Sequence, residues 1–356
     1  MDPRVTQALG APLVGHLDPY FLHVMDETMT MLRRVFRTTN HHTIAMSATG
    51  TGGLETILAN LLEAGDECVV GVIGYFGQRL AEMAARAGAS VRVVEAALGE
   101  VIAPERFATE LKKKPAKLVA LVHAETSTGA WQPLPAVAEI AHRYGALIAI
   151  DCVTSLGGVP VEIDEWGIDA AGSCSQKCIG SPPGLSPVTF GPRALDAVRR
   201  RRARPATWYF DLNLLFQYWG EGEGSKERAF HHTAPVASVY ALREALRLVV
   251  EEGLEARWAR HREAHEHFAR GLARLGLELF TPAAHRLPQL NVIRIPGGVD
   301  DATVRRRLLE RGIEIAGGFG PLKGKVWRVG LMGYNATPER VDLLLDALGE
   351  EVRGAR

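Results

Sequence analysis

From about Thr49 to Gly191 the chain alternates short apolar runs with amphipathic stretches. Leu54, Ile57, Leu58, Leu61 and Leu62 recur at helical spacing and predict a helix. Cys68 to Val72 reads as a buried strand, Gln78 to Arg86 as a helix and Val91 to Val94 as a strand. Leu118 to Val122 is a further strand, Pro135 to Tyr144 a helix, and Leu147 to Ile150 a strand that stops at Asp151. A short strand follows over Ile168 to Gly172. Continuous apolar strands between helices predict an α/β fold whose mostly parallel sheet is covered on both faces.

After about Gly253 the pattern changes. A long charged helix, Leu254 to Leu275, leads into Leu277 to Phe280. Asn291 to Ile295 and Val326 to Leu331 read as strands. Asp300 can cap a helix ending near Gly312, and Thr337-Pro338 opens the last helix. The pattern predicts a smaller C-terminal α+β domain with an antiparallel sheet. The expected organisation is an N-terminal segment over 1–14, a large domain over 15–252 and a small domain over 253–356.

Composition adds exclusions. A length of 356 residues suits about two domains. Lys and Arg total 41 against 41 Asp and Glu, so nothing points to nucleic acid or a membrane surface. The run Arg199 to Arg202 with Arg204 reads as a solvated helix end. Cys68, Cys152, Cys174 and Cys178 form no disulfide framework, and Cys174 with Cys178 lacks the second pair a zinc site needs, so no metal is expected. Met1-Asp2-Pro3-Arg4 lacks the apolar core of a signal peptide, and no apolar run reaches the ~20 residues that span a bilayer. These features predict a cytoplasmic protein.

In open α/β sheets ligands bind beyond the carboxyl ends of the strands, and informative residues fall there. Thr49-Gly50-Thr51-Gly52-Gly53 precedes a helix, where backbone N–H groups and the helix dipole suit a phosphate. The same run equally fits a flexible turn, and it matches no nucleotide-binding motif. Asp151, after a buried strand, is either a loop contact or the partner of a protonated ring nitrogen. Lys177, in Ser173-Cys174-Ser175-Gln176-Lys177, sits among small residues and suits a nucleophile or Schiff-base former. Arg328, inside Trp327-Arg328-Val329-Gly330, needs an anion, either a structural acid or a substrate carboxylate. A strand-end Asp upstream of such a lysine is the arrangement that pyridoxal-phosphate (PLP) enzymes use. His41-His42 and His231-His232 lack metal-ligand spacing, and His123 reads as a hydrogen-bonded structural residue.

Ser175-Gln176-Lys177, His123-Ala124-Glu125-Thr126-Ser127-Thr128-Gly129, Asp151, His231-His232-Thr233 and Gly324-Lys325-Val326-Trp327-Arg328-Val329-Gly330 resemble the class V aminotransferases. The likeness runs from about Pro3 to Leu348, in particular to the alanine–glyoxylate and serine–pyruvate branch. It implies PLP fold type I: a large domain with a mostly parallel, seven-stranded-type sheet, a small α+β domain, and a homodimer with shared active sites. It implies that Lys177 carries the cofactor and moves the proton, and that Asp151 pairs with the pyridine nitrogen. It further implies that Phe76 stacks on the ring, where relatives commonly have tryptophan, and that Ser127 lies near the ring hydroxyl. Thr49, Gly50, Thr51 and Gln176 would bind the phosphate, joined by Thr233 of the partner subunit. Arg328 would bind the substrate carboxylate.

The implied reaction is ping-pong transfer of an amino group from alanine or serine to glyoxylate or pyruvate. The chain departs from the family in three places. Phe230 replaces a tyrosine before His-His-Thr, Thr51 stands where some members have histidine, and the opening lacks a Thr-Pro-Gly-Pro-like stretch.

The ureidoglycine–glyoxylate aminotransferases are also similar, through Pro12-Leu13-Val14-Gly15, Phe319-Gly320-Pro321-Leu322 and Met332-Gly333-Tyr334. That branch has glutamine at the place of His16 and asparagine at the place of Phe230, so these two residues are expected to line the substrate pocket. A cysteine desulfurase is disfavoured by Gln176 before the lysine and by the absence of cysteine after Cys178. A catalytically silent PLP-binding protein is disfavoured by intact Lys177, Asp151 and Arg328.

Overall fold

The computed structural model describes residues 1–220 and 228–354. Its strands, in chain order, are β1 (Thr43–Met46), β2 (Glu67–Val72), β3 (Ser90–Glu95), β4 (Leu118–Val122), β5 (Ala124–Glu125), β6 (Ala130–Trp131), β7 (Leu147–Asp151), β8 (Ala170–Gly172), β9 (Ser186–Phe190), β10 (Leu290–Arg294), β11 (Ala316–Gly317) and β12 (Val326–Gly330). Seven of them form one sheet in the order β1-β9-β8-β7-β4-β2-β3. The fold is α/β, and the sheet is mainly parallel. β9 opposes both of its neighbours, β1 and β8, while the other pairings are parallel. Strands β4, β7 and β9 are buried at every position, and the apolar runs of β4 and of β7 up to Asp151 are what that burial requires once helices cover both faces.

The predicted elements are present with shifted ends. The helix expected from Gln78 begins at Tyr75, and the strand expected over Val91 to Val94 spans Ser90–Glu95. Elements that carried no assignment from the sequence include helices Pro3–Leu9, Pro19–Phe36, Pro104–Lys113, Leu212–Trp219 and Val236–Glu252, and strands β1 and β9. β9 was masked by Pro187, which breaks the usual strand signature.

The main core runs from Val5 to Leu254 and packs both faces of the large sheet. A second core, from Ala264 to Val352, joins helices Leu254–Arg274, Asp301–Glu310 and Pro338–Gly354 to the antiparallel sheet β10-β12-β11. Asp300 caps its helix as expected, accepting from the Thr303 N–H at 2.8 Å. Arg201 departs from the solvated reading of the arginine run. Its Nη1 donates to the carbonyls of Asn60 and Leu62, satisfying the end of helix Gly50–Leu61. No helix among the described residues is long and apolar enough to cross a membrane.

Candidate active site

Register places the chemistry. β4 pairs with β7 so that Val122 faces Asp151, and β7 pairs with β8 so that Asp151 faces Gly172. The segments leaving these strands, His123–Gly129, Asp151–Ser155 and Ser173–Lys177, therefore emerge side by side at one edge of the sheet. The loop from Gly74 into helix Tyr75–Arg86 joins them, since the Tyr75 N–H donates to Ser127 Oγ at 3.0 Å. The start of helix Gly50–Leu61 is a fifth wall. A Cβ on Gly50 would lie 3.0 Å from Val153 and 3.1 Å from Cys174, so only glycine lets that helix approach.

Asp151 is buried, and among the described residues its carboxylate accepts one hydrogen bond, from the Val153 N–H at 2.8 Å. Burial, with a further push from the Glu125 charge, raises its carboxyl to about 7, against a partial pull downward from Arg79. A buried carboxylate in that condition lacks a cation. Lys177 is half-buried on the loop after β8, and Gln176 beside it is exposed. Burial drives the neighbouring Cys174 thiol up to about 12, and the charges of both Lys177 and Asp151 act on it, which puts all three groups in one neighbourhood.

At the helix start, Thr49 caps with no side-chain hydrogen bond, although the chain enters in the extended conformation usual for a cap. The first N–H groups, with Thr51 half-exposed beside them, are thus presented to an anion. Phe76 is half-buried, with the Arg79 guanidinium 4.6 Å over one face of its ring. Ser127 is buried, and its hydroxyl donates to Glu125 at 2.6 Å. Arg328 is half-buried. Its Nε donates to the Gly317 carbonyl at 2.7 Å and its Nη1 to the Thr126 carbonyl at 3.3 Å. Among the described residues no acid lies within ion-pair distance of it.

Sequence reasoning missed Glu125. Fully buried, it accepts from the N–H groups of Phe76 (3.4 Å), Gly77 (3.1 Å) and Ser127 (3.0 Å) as well as from the Ser127 hydroxyl. Its signal was an acid inside an otherwise uncharged run, His123–Gly129.

His123 is the structural residue the sequence suggested. The Trp131 indole donates to its Nε2 at 2.8 Å, which leaves Nδ1–H to donate to Ser155 Oγ at 2.9 Å, and burial lowers its pKa to about 3. Cys68 and Cys178, like Cys174, have thiols pushed up to about 12 by burial, so they are inert.

Three expected site residues lie elsewhere in this single chain. His16 and Phe230 pack on each other, with ring centroids 5.6 Å apart, and Phe230 and Thr233 are exposed. They belong to an aromatic group in which His231 stacks on Trp208 at 4.3 Å and His232 Nε2 bonds Ser47 Oγ at 2.6 Å, two residues before Thr49.

The class V aminotransferase family model matches residues 6–344, and the chain belongs to that family. It is 41% identical to the (S)-ureidoglycine–glyoxylate transaminase of Bacillus subtilis over 98% of this chain and 87% of that one. It is also 41% identical to the alanine–glyoxylate aminotransferase of Mus musculus, over 99% of this chain and 85% of that one. The crystal structure of an alanine–glyoxylate aminotransferase from Nostoc sp. superposes with a TM-score of 0.96 at 50% identity, covering 99% of this chain and 92% of that one. That of the ureidoglycine–glyoxylate aminotransferase from Bacillus subtilis also gives 0.96, at 42% identity, covering 100% and 91%.

The chain is accordingly a PLP-dependent transaminase with the type I fold. The donor set fits the cofactor. An unpaired buried carboxylate suits a protonated ring nitrogen, an uncapped helix start suits a phosphate, and an aromatic face borders both.

Proposed function

We propose that this enzyme moves the amino group of a small amino acid, alanine or serine, to glyoxylate or pyruvate in a ping-pong reaction. Arg328 carries the reading. A half-buried guanidinium, oriented by two backbone carbonyls and with no acid within ion-pair distance among the described residues, is completed by a carboxylate from outside. Amino and keto acids both bring one. PLP, when bound, supplies an electron sink conjugated with the substrate Cα.

The chain's residues do the rest. Lys177 holds the cofactor and, once displaced, moves the proton from Cα. Asp151 keeps the ring nitrogen protonated, and Phe76 offers a stacking face. The N–H groups at Gly50 and Thr51, with Thr49 and Gln176, hold the phosphate. Ser127 borders the ring hydroxyl.

We propose further that the working form is a homodimer in which Thr233 reaches the partner's phosphate site while His16 and Phe230 line its substrate pocket. The exposure of Leu13, Leu17, Tyr20, Trp208 and Phe230, all large and apolar, supports this. We divide the chain into an N-terminal segment over 1–14, whose Val5 packs into the main core, a cofactor domain over 15–252 and a small domain over 253–356, and the separate second core supports the last boundary. A cytoplasmic location suits the four unpaired, buried thiols.

A second reading is (S)-ureidoglycine as donor, favoured by the similarity to the Bacillus subtilis enzyme. Against it, Phe230 has no polar tip to bond a ureido group. The test is kcat/KM for L-alanine, L-serine and freshly generated ureidoglycine, each with glyoxylate. Alanine or serine is expected to lead. A preference for ureidoglycine above about a hundredfold, roughly 2.7 kcal/mol, would overturn the small-donor reading.

A further inference from the structure

Phe319 joins the two halves of the site. It lies between β11 and the tight turn Gly320–Leu322, whose Leu322 packs with Val292 and Val326. The Arg328 guanidinium sits 4.1 Å over its ring. Phe76 meets it at 5.6 Å with the ring planes at 90°, and Tyr75 stacks on it at 5.0 Å and 14°. Tyr75 and Phe76 open the helix that follows β2 of the large sheet, so this aromatic trio links that sheet's helix to the segment after β11 of the antiparallel sheet.

The backbone that carries each of the three rings is held in place. The Tyr75 backbone is held by Ser127 and the Phe76 backbone by Glu125. The Phe319 carbonyl accepts from the Leu322 N–H at 2.9 Å. A Cβ on Gly318 would lie 2.1 Å from the Leu322 carbonyl oxygen, so the loop is closed tightly on itself.

We infer that Phe319, backed by Tyr75, is a specificity-determining residue that limits the amino donor to small side chains. The inference rests on the transaminase reading of Arg328. A donor whose carboxylate would meet Arg328 and whose Cα would face a cofactor ring beside Phe76 must run past Phe319, whose ring meets both residues. A hydrogen, methyl or hydroxymethyl group passes a fixed ring, whereas a branched or aromatic side chain overlaps it. Exclusion by overlap is the repulsive half of specificity, which an open apolar pocket lacks.

The test measures kcat/KM for L-alanine and L-leucine with glyoxylate in the holoenzyme and in Phe319→Ala, Phe319→Tyr and Tyr75→Ala. The alanine-to-leucine ratio is the readout, because lost folding or cofactor scales both constants equally. In Phe319→Ala the ratio should fall at least about tenfold, through a lower KM for leucine. Tyr75→Ala should give a smaller fall, about threefold, and Phe319→Tyr should retain the wild-type ratio. An unchanged ratio in Phe319→Ala, with wild-type enzyme active on alanine, would overturn this inference and leave the transaminase reading standing. Wild-type holoenzyme inactive with every small donor would remove both.

Discussion

Arg257 and Arg328 are guanidinium groups drawn out of water in two regions of the molecule, and they end in opposite conditions. Behind the lysine loop, Arg257 donates to the carbonyls of Gly157 and Cys178 and pairs with Glu252, which also holds Arg260. At the mouth of the site Arg328 has two carbonyls and no acid among the described residues. The acids repeat the contrast. Asp169, buried under the sheet, accepts from His142, Arg193 and the Ile148 N–H, whereas Asp151 has the Val153 N–H. The first region settles its buried charges internally and so contributes to folding. The second leaves an anion and a cation unmatched, each aimed at a group that a ligand must bring.

The largest effect should come from breaking that readiness at its centre. Asp151→Asn keeps the size and removes the charge that holds the ring nitrogen protonated. Turnover should fall by about four orders of magnitude, roughly 5 kcal/mol at the transition state, while PLP still binds. Near-normal single-turnover rates in the variant would contradict the pairing.

The same unmatched charge should mark the cofactor-free protein. Asp151 has an ordinary carboxyl value of 3.8 and a folded value of about 7, so the folded chain holds its proton more tightly than the unfolded chain. Its contribution to stability is therefore complete below about pH 4 and lost as pH rises towards 7. The loss is roughly 4 kcal/mol at 1.36 kcal/mol per unit. Denaturant melts of PLP-free wild type and Asp151→Asn across this window should diverge by that amount. Parallel curves would show that the carboxylate is not stranded.

Arg257→Met attacks the settled region instead. It removes one of the two arginines that hold Glu252 and leaves the buried carbonyls of Gly157 and Cys178 without their donor, so stability should drop by roughly 3 kcal/mol. Because Cys178 follows Lys177 directly, retained stability together with lost activity would move Arg257 from scaffold to site.

What the sequence could convey followed from how local each signal is. Buried strands announced themselves as apolar runs, and Asp151 and Lys177 stood out as charges at strand ends. The start of helix Tyr75–Arg86 did not, because its first N–H groups are capped by Glu125, about fifty residues away. Arg201 looked solvated because the carbonyls it caps belong to another helix. The bridge from Phe76 through Phe319 to Arg328 joins three segments that no periodicity connects. For His16, Phe230 and Thr233 no signal along one chain says what they face, and the proposed dimer is what would give them a site.

The smallest effect tests whether Arg328 is specified by shape as well as charge. Lysine at 328 keeps the cation but loses the planar fork. Nε holds Gly317 and Nη1 holds Thr126, with the guanidinium plane over Phe319, so on the proposed role Nη2 is the donor left for a substrate carboxylate. An ammonium cannot make the two carbonyl bonds and a directed carboxylate contact in one plane. Arg328→Lys should therefore lose about thirtyfold in kcat/KM for alanine, roughly 2 kcal/mol, mostly in KM. Its melting temperature should stay within a degree or two, because no internal acid is stranded. A melting loss as large as that of Arg257→Met would erase the contrast between the two arginines. A KM unchanged for both alanine and glyoxylate would mean that the substrate carboxylate is held elsewhere.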